Sequence, residues 1–208
     1  MAEVHIGRTV LGMGGTNCYF IYKDDGKTVV FDPGFEGKKL YDRLTEKGLS
    51  VSAIVLTHGH YDHILGVKEL KEAAGCKVYA PEAEKQLLLD VYKNCSADIG
   101  RPCAIEADVF LKDGQEVEID GIKFTVLLTP GHTAGSACYY FETEKFLIAG
   151  DTLFYGSVGR TDLPTGNMGD LAQSLKKKLM VLPEDVVVYP GHGDETTIGD
   201  EKQYNPFC

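Results

Sequence analysis

Apolar positions along the chain fall into short runs separated by turn residues. Val4–Val10 and Asn17–Tyr22 read as strands on either side of Gly12-Met13-Gly14-Gly15, a hairpin-type turn. Thr28–Phe31 reads as a buried strand that stops at the turn signal Asp32-Pro33-Gly34. Leu40, Leu44 and Leu49 mark a helical stripe broken at Gly48. Ala53–Leu56 is a short apolar strand that runs straight into Thr57-His58-Gly59-His60. Ile64–Ala74 has the spacing of an amphipathic helix, with Gly75 as its terminator, and Pro81–Val91 reads as a helix with proline in its first turn. Later in the chain, strands are expected at Gln115–Ile119, Ile122–Leu128, Ala137–Glu142 and Phe146–Ala149, with Asp120-Gly121 joining the first two. A helix at Leu171–Leu179 precedes a strand at Val186–Tyr189. Strands and helices mix in both halves of the chain. That pattern fits an α/β (α+β) domain over 1–208 in which two sheets pack face to face with helices outside.

Composition narrows the partners. Acidic residues outnumber basic ones, 31 to 21, for a formal charge of −10. A nucleic-acid or anionic-membrane surface needs a positive field, so neither is expected as a partner. No apolar run approaches the roughly 20 residues of a membrane span. The segment Met1-Ala2-Glu3-Val4-His5 has neither a basic nor an apolar leader region, so a cytoplasmic location is expected. The six cysteines are scattered without a CxxC pair, as free thiols in a reducing compartment would be.

The chemistry lies in the histidines. Five of the six, His58, His60, His63, His132 and His192, stand in Gly-rich segments just after an expected strand. Asp151, in Gly150-Asp151-Thr152, occupies the same kind of strand end. Loops at strand ends can converge above one sheet edge, and glycine and proline hold such loops in tight shapes. The run His58-Gly59-His60-Tyr61-Asp62-His63 packs four candidate ligands into six residues. Imidazole and carboxylate donors suit borderline divalent metals, zinc first among them, with iron and manganese also open. Asp32 reads as a residue that steadies a ligand histidine rather than as a ligand. Asn17 and Cys18 read as structural residues near the site.

Taken in order, Thr16–Tyr19, Asp32–Gly34, Thr57–His63, Thr129–Ser136, Gly150–Phe154 and Pro190–His192 resemble the metallo-β-lactamase superfamily. Gly156–Pro164, Thr196–Glu201 and Asn205–Phe207 look most like its short branch related to hydroxyacylglutathione hydrolase, or glyoxalase II. The resemblance implies a four-layer αββα sandwich with two divalent metals at one edge. It implies that His58, His60 and His132 hold one ion, that Asp62, His63 and His192 hold the other, and that Asp151 bridges them. Full-length glyoxalase II has a C-terminal helical region that helps to hold glutathione; here about 16 residues follow His192, and that region is expected to be missing. Gly159-Arg160-Thr161-Asp162 stands where that enzyme carries its glutathione-binding lysine and tyrosine.

The expected activity is hydrolysis of a small thioester or ester, with a metal-bridging hydroxide attacking the carbonyl and Asp62 and Asp151 as the catalytic carboxylates. A thiolate leaves without much acid assistance, which matches a sequence showing no obvious general acid. Arg160 and Asp162 either meet a substrate carboxylate or pair with each other to fix their loop, and Tyr155 could line the substrate pocket. Alternatives are a one-iron persulfide dioxygenase, through the same histidines and the Gly159–Asp162 run, a lactone hydrolase, and a metal-stabilised binding domain without catalysis.

Overall fold

The computed structural model describes residues 3–208. Its first sheet runs β1 (Val4–Leu11), β2 (Thr16–Lys23), β3 (Lys27–Phe31), β4 (Ser50–Val55), β5 (Lys77–Pro81) and β6 (Val109–Leu111), in that spatial order. β1, β2 and β3 pair antiparallel, and β3 to β6 pair parallel. The second sheet contains β7 (Glu116–Ile119), β8 (Ile122–Leu128), β9 (Ala137–Phe141), β10 (Phe146–Gly150), β13 (Val187–Pro190) and β14 (Thr196–Thr197), in the order β14-β13-β10-β9-β8-β7. β11 (Leu153–Phe154) and β12 (Ser157–Val158) form a separate small hairpin.

Side-chain alternation builds the layers. Val29, Phe31, Ala53 and Val55 point from the first sheet into an inner core shared with Phe124, Val126, Tyr139, Phe141 and Ile148 of the second. Their neighbours Val30, Ile54 and Leu56 point the other way, onto Leu40 and Leu44 of α1 (Gly37–Glu46) and Val67 and Leu70 of α3 (Val67–Ala74). On the far side, Leu147, Ala149 and Val188 meet Leu171 of α5 (Met168–Ser174), Leu175 and Leu179 of the wide turn that continues it, and Ile198 of α6 (Ile198–Tyr204). The result is the expected αββα order.

Two expectations are corrected, and one helix was not expected. Ile64–Ala74 is not one helix: α2 (Tyr61–Ile64) and α3 are separated at Leu65-Gly66. There the Gly66 N–H leaves the helix to donate to Pro33 O at 2.9 Å, and a Cβ on Gly66 would lie 2.6 Å from that oxygen. Pro81 closes β5 instead of opening a helix. A short 3₁₀ turn at Glu82–Glu84 follows, and helix α4 covers only Lys85–Leu89. Helix α6, which periodicity does not reveal, is started by Thr197, whose side chain accepts the Asp200 N–H, a capping arrangement.

All six cysteines are unpaired. Among the described residues, no helix is long and apolar enough to cross a membrane.

Candidate metal centre

Every candidate ligand follows a strand at one edge of the sandwich. His58 and His60 follow β4, Asp62 and His63 lie on α2, His132 follows β8, Asp151 follows β10 and His192 follows β13. Glycine makes the convergence possible at Gly191, where a Cβ would collide with Asp151 Oδ1. Asn17 of β2 ties the last loop down: its amide donates to Pro190 O and to Gly193 O, both at 2.9 Å, on either side of His192. The buried Asn17 thus has the structural role read from the sequence.

Three groups of donor atoms lie within 4.8 Å of one another: His58, His60 and His132; His58, His63 and Asp151; and Asp62, His63 and His192. Asp151 lies between the outer two. Its Oδ2 is 3.6 Å from His132 Nε2 and 3.5 Å from His192 Nε2, and its Oδ1 is 3.4 Å from His63 Nε2. Asp62 Oδ2 is 3.2 Å from His192 Nε2 and accepts the Thr16 hydroxyl at 3.0 Å.

The outward face of each ring sets its orientation. Asp32 Oδ2 accepts from His63 Nδ1 at 2.9 Å and from the Thr57 hydroxyl at 2.7 Å, and Oδ1 accepts the Thr57 N–H at 2.8 Å. Having donated its proton to Asp32, the Thr57 hydroxyl is left to accept from His58 Nδ1 at 3.0 Å. His132 Nδ1 donates to Arg160 O at 2.8 Å. These bonds place the protons outward and leave His58 Nε2 and His132 Nε2 as lone-pair atoms. The two nitrogens are only 3.2 Å apart, with His60 Nδ1 2.9 Å from His132 Nε2. Lone pairs opposed this closely repel unless a cation lies among them, so the donor set fits a metal. His63 Nε2 and Asp151 Oδ1, buried without a hydrogen-bond partner, fit one as well.

The electrostatics divide the site in two. Burial, followed by the charges of neighbouring histidines, holds His58 far below its ordinary pKa and brings His60 down to about 3; burial also lowers His132. These three rings are thereby neutral, the form in which imidazole can bind a metal. Burial works against the charge on His63 and His192, yet the carboxylates around them outweigh it: His63 is raised by Asp151, Asp62 and Asp32, and His192 to about 9 by Asp151 and Asp62. Asp62 is pushed up by burial but brought down to about 2 by His63 and His192. A cation entering this half replaces protons held on the two rings.

Beside the centre lies a cleft of about 530 Å³ whose lining includes Tyr61, Cys95, Asp98, Phe154 and Arg160. Arg160 and Asp162 pair with each other through two contacts of 2.7 Å on the exposed rim, the local arrangement weighed from the sequence. Tyr155 is 70 % exposed and absent from the cleft lining, because Phe154, its neighbour in the hairpin, takes the inward position.

One residue escaped the sequence reading. Glu84 is buried, and its two oxygens hold the ligand loops together. Oε2 accepts the Gly59 N–H at 2.7 Å, between His58 and His60; Oε1 accepts the Thr133 hydroxyl at 2.7 Å and the Gly135 N–H at 2.8 Å, just past His132. Burial raises its pKa, and those three donors oppose the rise. Its signal was an acidic residue at helical spacing from the buried Leu87 and Leu88.

Asp32→Asn tests the outer bonds. It exchanges one acceptor for a donor that cannot serve both His63 and Thr57. Metal affinity is expected to fall about 10- to 100-fold, read by competition with a chromogenic chelator; unchanged affinity would remove Asp32 from the support of His63.

Fold and site define a family. The chain belongs to the metallo-beta-lactamase superfamily, whose model matches residues 11–192. Its members support the class of metal-dependent hydrolases. Among relatives, the chain is 35 % identical over 197 residues to hydroxyacylglutathione hydrolase GloC of Haemophilus influenzae, covering 92 % of each chain. Among solved structures, it superposes on the BLEG-1 B3 metallo-beta-lactamase with TM-score 0.93 and 39 % identity, over 98 % of this chain and 99 % of that one. It superposes on TTHA1623 in a di-iron-bound form with TM-score 0.87 and 35 % identity, over 97 % and 100 %.

Proposed function

We propose that the protein is a dinuclear metal hydrolase of a small-molecule thioester, with zinc the first candidate metal and iron or manganese open. The observation that carries this reading is the position of Asp151, within 3.6 Å of His132, His63 and His192, so that its two oxygens face both donor groups at once. His58, His60 and His132 would hold one ion, Asp62, His63 and His192 the other, with Asp151 shared. Divalent ions held there would supply a water of lowered pKa as nucleophile and a Lewis acid for the substrate carbonyl.

The chain's own residues do the rest. Asp62, fixed by the Thr16 hydroxyl at 3.0 Å, presents its carboxylate beside His192 to orient the attacking water. Asp151 sets the spacing between the two ligand groups. The cleft walls would hold the substrate, and Arg160, on the rim, would meet an anionic thiol carrier on releasing Asp162. The leaving group is a thiolate, with a pKa near 8.5 for a free thiol, and it departs without a proton donor. The likeness to GloC supports a thioester of glutathione type. The likeness to BLEG-1 favours a second reading, hydrolysis of a β-lactam. It is the weaker one, because an amide nitrogen needs a proton to leave.

Elemental analysis of protein grown with zinc, iron and manganese is the test, followed by release of free thiol from S-lactoylglutathione. About two metals per chain with thiol release are expected. One iron per chain with oxygen uptake on glutathione persulfide would overturn the hydrolase reading, and turnover of penicillins without thiol release would transfer it to the β-lactam class.

A further inference from the structure

The small β11–β12 hairpin joins two parts of the centre. It leaves Asp151 and returns to Arg160, whose carbonyl holds His132, and along the way Phe154, Ser157 and Val158 line the cleft. The Phe154 ring stands nearly perpendicular to the His192 ring, with centroids 6.2 Å apart. The stem of the hairpin is fixed from below. Leu153 is buried in the outer core, and the Thr152 and Thr129 hydroxyls share a hydrogen bond of 2.9 Å. The tip is fixed from elsewhere. Gly156 gives its N–H to Glu201 of α6, whose two oxygens lie 3.1 and 3.0 Å away. Glu201 is buried, and its donors are uncharged groups: the Thr196 hydroxyl reaches Oε1 at 2.6 Å and the Asn205 amide reaches Oε2 at 2.6 Å. The same Asn205 amide donates to Ser157 O at 3.0 Å.

We infer that Glu201, with Asn205 beside it, is a positioning residue for the substrate: from the last helix it holds the hairpin tip, so that Phe154, Ser157 and Val158 keep one wall of the cleft in place. The inference rests on the reading that the cleft receives the substrate. A buried carboxylate is costly unless donors meet it, and its bonds to those donors are stronger than bonds between neutral groups. Here that strength acts on a turn with little else to hold it. The hairpin pairs only two residues on each side, too few to fix its own tip, and Tyr155 and Gly156 are exposed. The helix that presents Glu201 is anchored separately, by the Ile198 N–H on Val186 O and the Gly199 N–H on Glu184 O, both at 3.0 Å. Removing the carboxylate therefore frees the tip while the helix, the stem and Asp151 stay where they are. The defect falls on substrate binding and spares the donors of the centre. The end of the chain, which supplies no candidate ligand after His192, in this way acts on the cleft.

The experiment compares Glu201→Ala and Asn205→Ala with Thr196→Val, which removes a donor to Glu201 without touching the hairpin. Each is assayed well below its melting temperature. In Glu201→Ala, kcat/KM on S-lactoylglutathione is expected to fall about 10- to 100-fold. The fall should come through KM, with kcat within about twofold of the parent, and metal content should stay at the parent's value. Asn205→Ala should move the same way by less. Thr196→Val should lower the melting temperature and leave KM unchanged. Amide hydrogen exchange without substrate gives a second reading: residues 153–158 should exchange about tenfold faster in Glu201→Ala, and residues 58–63 as in the parent. Glu201→Gln, which keeps one oxygen acceptor, should regain part of the affinity, and it decides the matter if the alanine variant fails to fold. An unchanged KM in both alanine variants, a rise in KM matched by Thr196→Val, or unchanged exchange in the hairpin would overturn the inference. A parent protein that hydrolyses no thioester would overturn the thioester reading instead, and the exchange measurement would still decide whether Glu201 fixes the wall.

Discussion

Asp151→Ala is expected to cost the protein both metal and turnover. The carboxylate reaches His63 at 3.4 Å, His192 at 3.5 Å and His132 at 3.6 Å, and so serves both donor groups. Its removal leaves His63 and His192 facing Asp62 alone on one side and a bare triad of histidines on the other. The triad still offers three neutral nitrogens to one ion, whereas the second group loses a charge that balances the cation. Metal content should fall from about two per chain to about one, with turnover down by more than the roughly 100-fold typical of losing a mere supporting contact. Elemental analysis and thiol release on the same preparation check this together. Full occupancy at full rate would remove Asp151 from the bridging place.

Glu84 gives the second large effect by a different route. Glu84→Ala leaves the Gly59 N–H, the Gly135 N–H and the Thr133 hydroxyl facing a cavity in the interior. Each buried donor left without a partner costs about 1–3 kcal/mol, so the three together are expected to cost about 3–9 kcal/mol. For a chain of this length, each kcal/mol moves the melting temperature by about 2–4 °C, so a fall of about 6 °C or more should appear in a thermal melt. Glu84→Gln keeps one oxygen acceptor and turns an amide N–H₂ toward a donor, so it should fall between the two. Stability alone does not define the role. The bonds pin the turn between His58 and His60 to the loop that carries His132, and metal affinity measured well below the melting temperature should drop as well. A melt that falls while affinity holds would make Glu84 a fold residue only.

Much of the candidate site was legible in the sequence because its candidate donors are local. His58, His60, Asp62 and His63 lie within six residues, and the Pro-Gly-His context repeats at His132 and His192. Strands with clear alternation or continuous apolar runs, such as Thr28–Phe31 and Ile122–Leu128, agree with the structure to within a residue or two. What could not be read depends on contacts distant in sequence. The break at Gly66 exists because Pro33 approaches it, and no local propensity records that approach. β6 is three residues long, too short to carry a period. Glu84 resembles a surface helix residue until the 133–135 loop is seen to fold over it. Phe154 rather than Tyr155 faces the cleft because of the two-residue pairing of β11 with β12, a register that composition does not encode.

The candidate ligands come from both halves of the chain: His58, His60, Asp62 and His63 from the first sheet's side, and His132, Asp151 and His192 from the second's. The centre is thus a seam as well as a site. During synthesis, the first half emerges with a partial set of donors, and the set closes only when β13 has added beside β10 and delivered His192. Capture of a metal there would in this sense be a checkpoint on assembly. Ions held by these donors would clamp the two sheets after docking, and a chelator added to a refolding mixture should then slow the appearance of the compact state at its last step rather than its first.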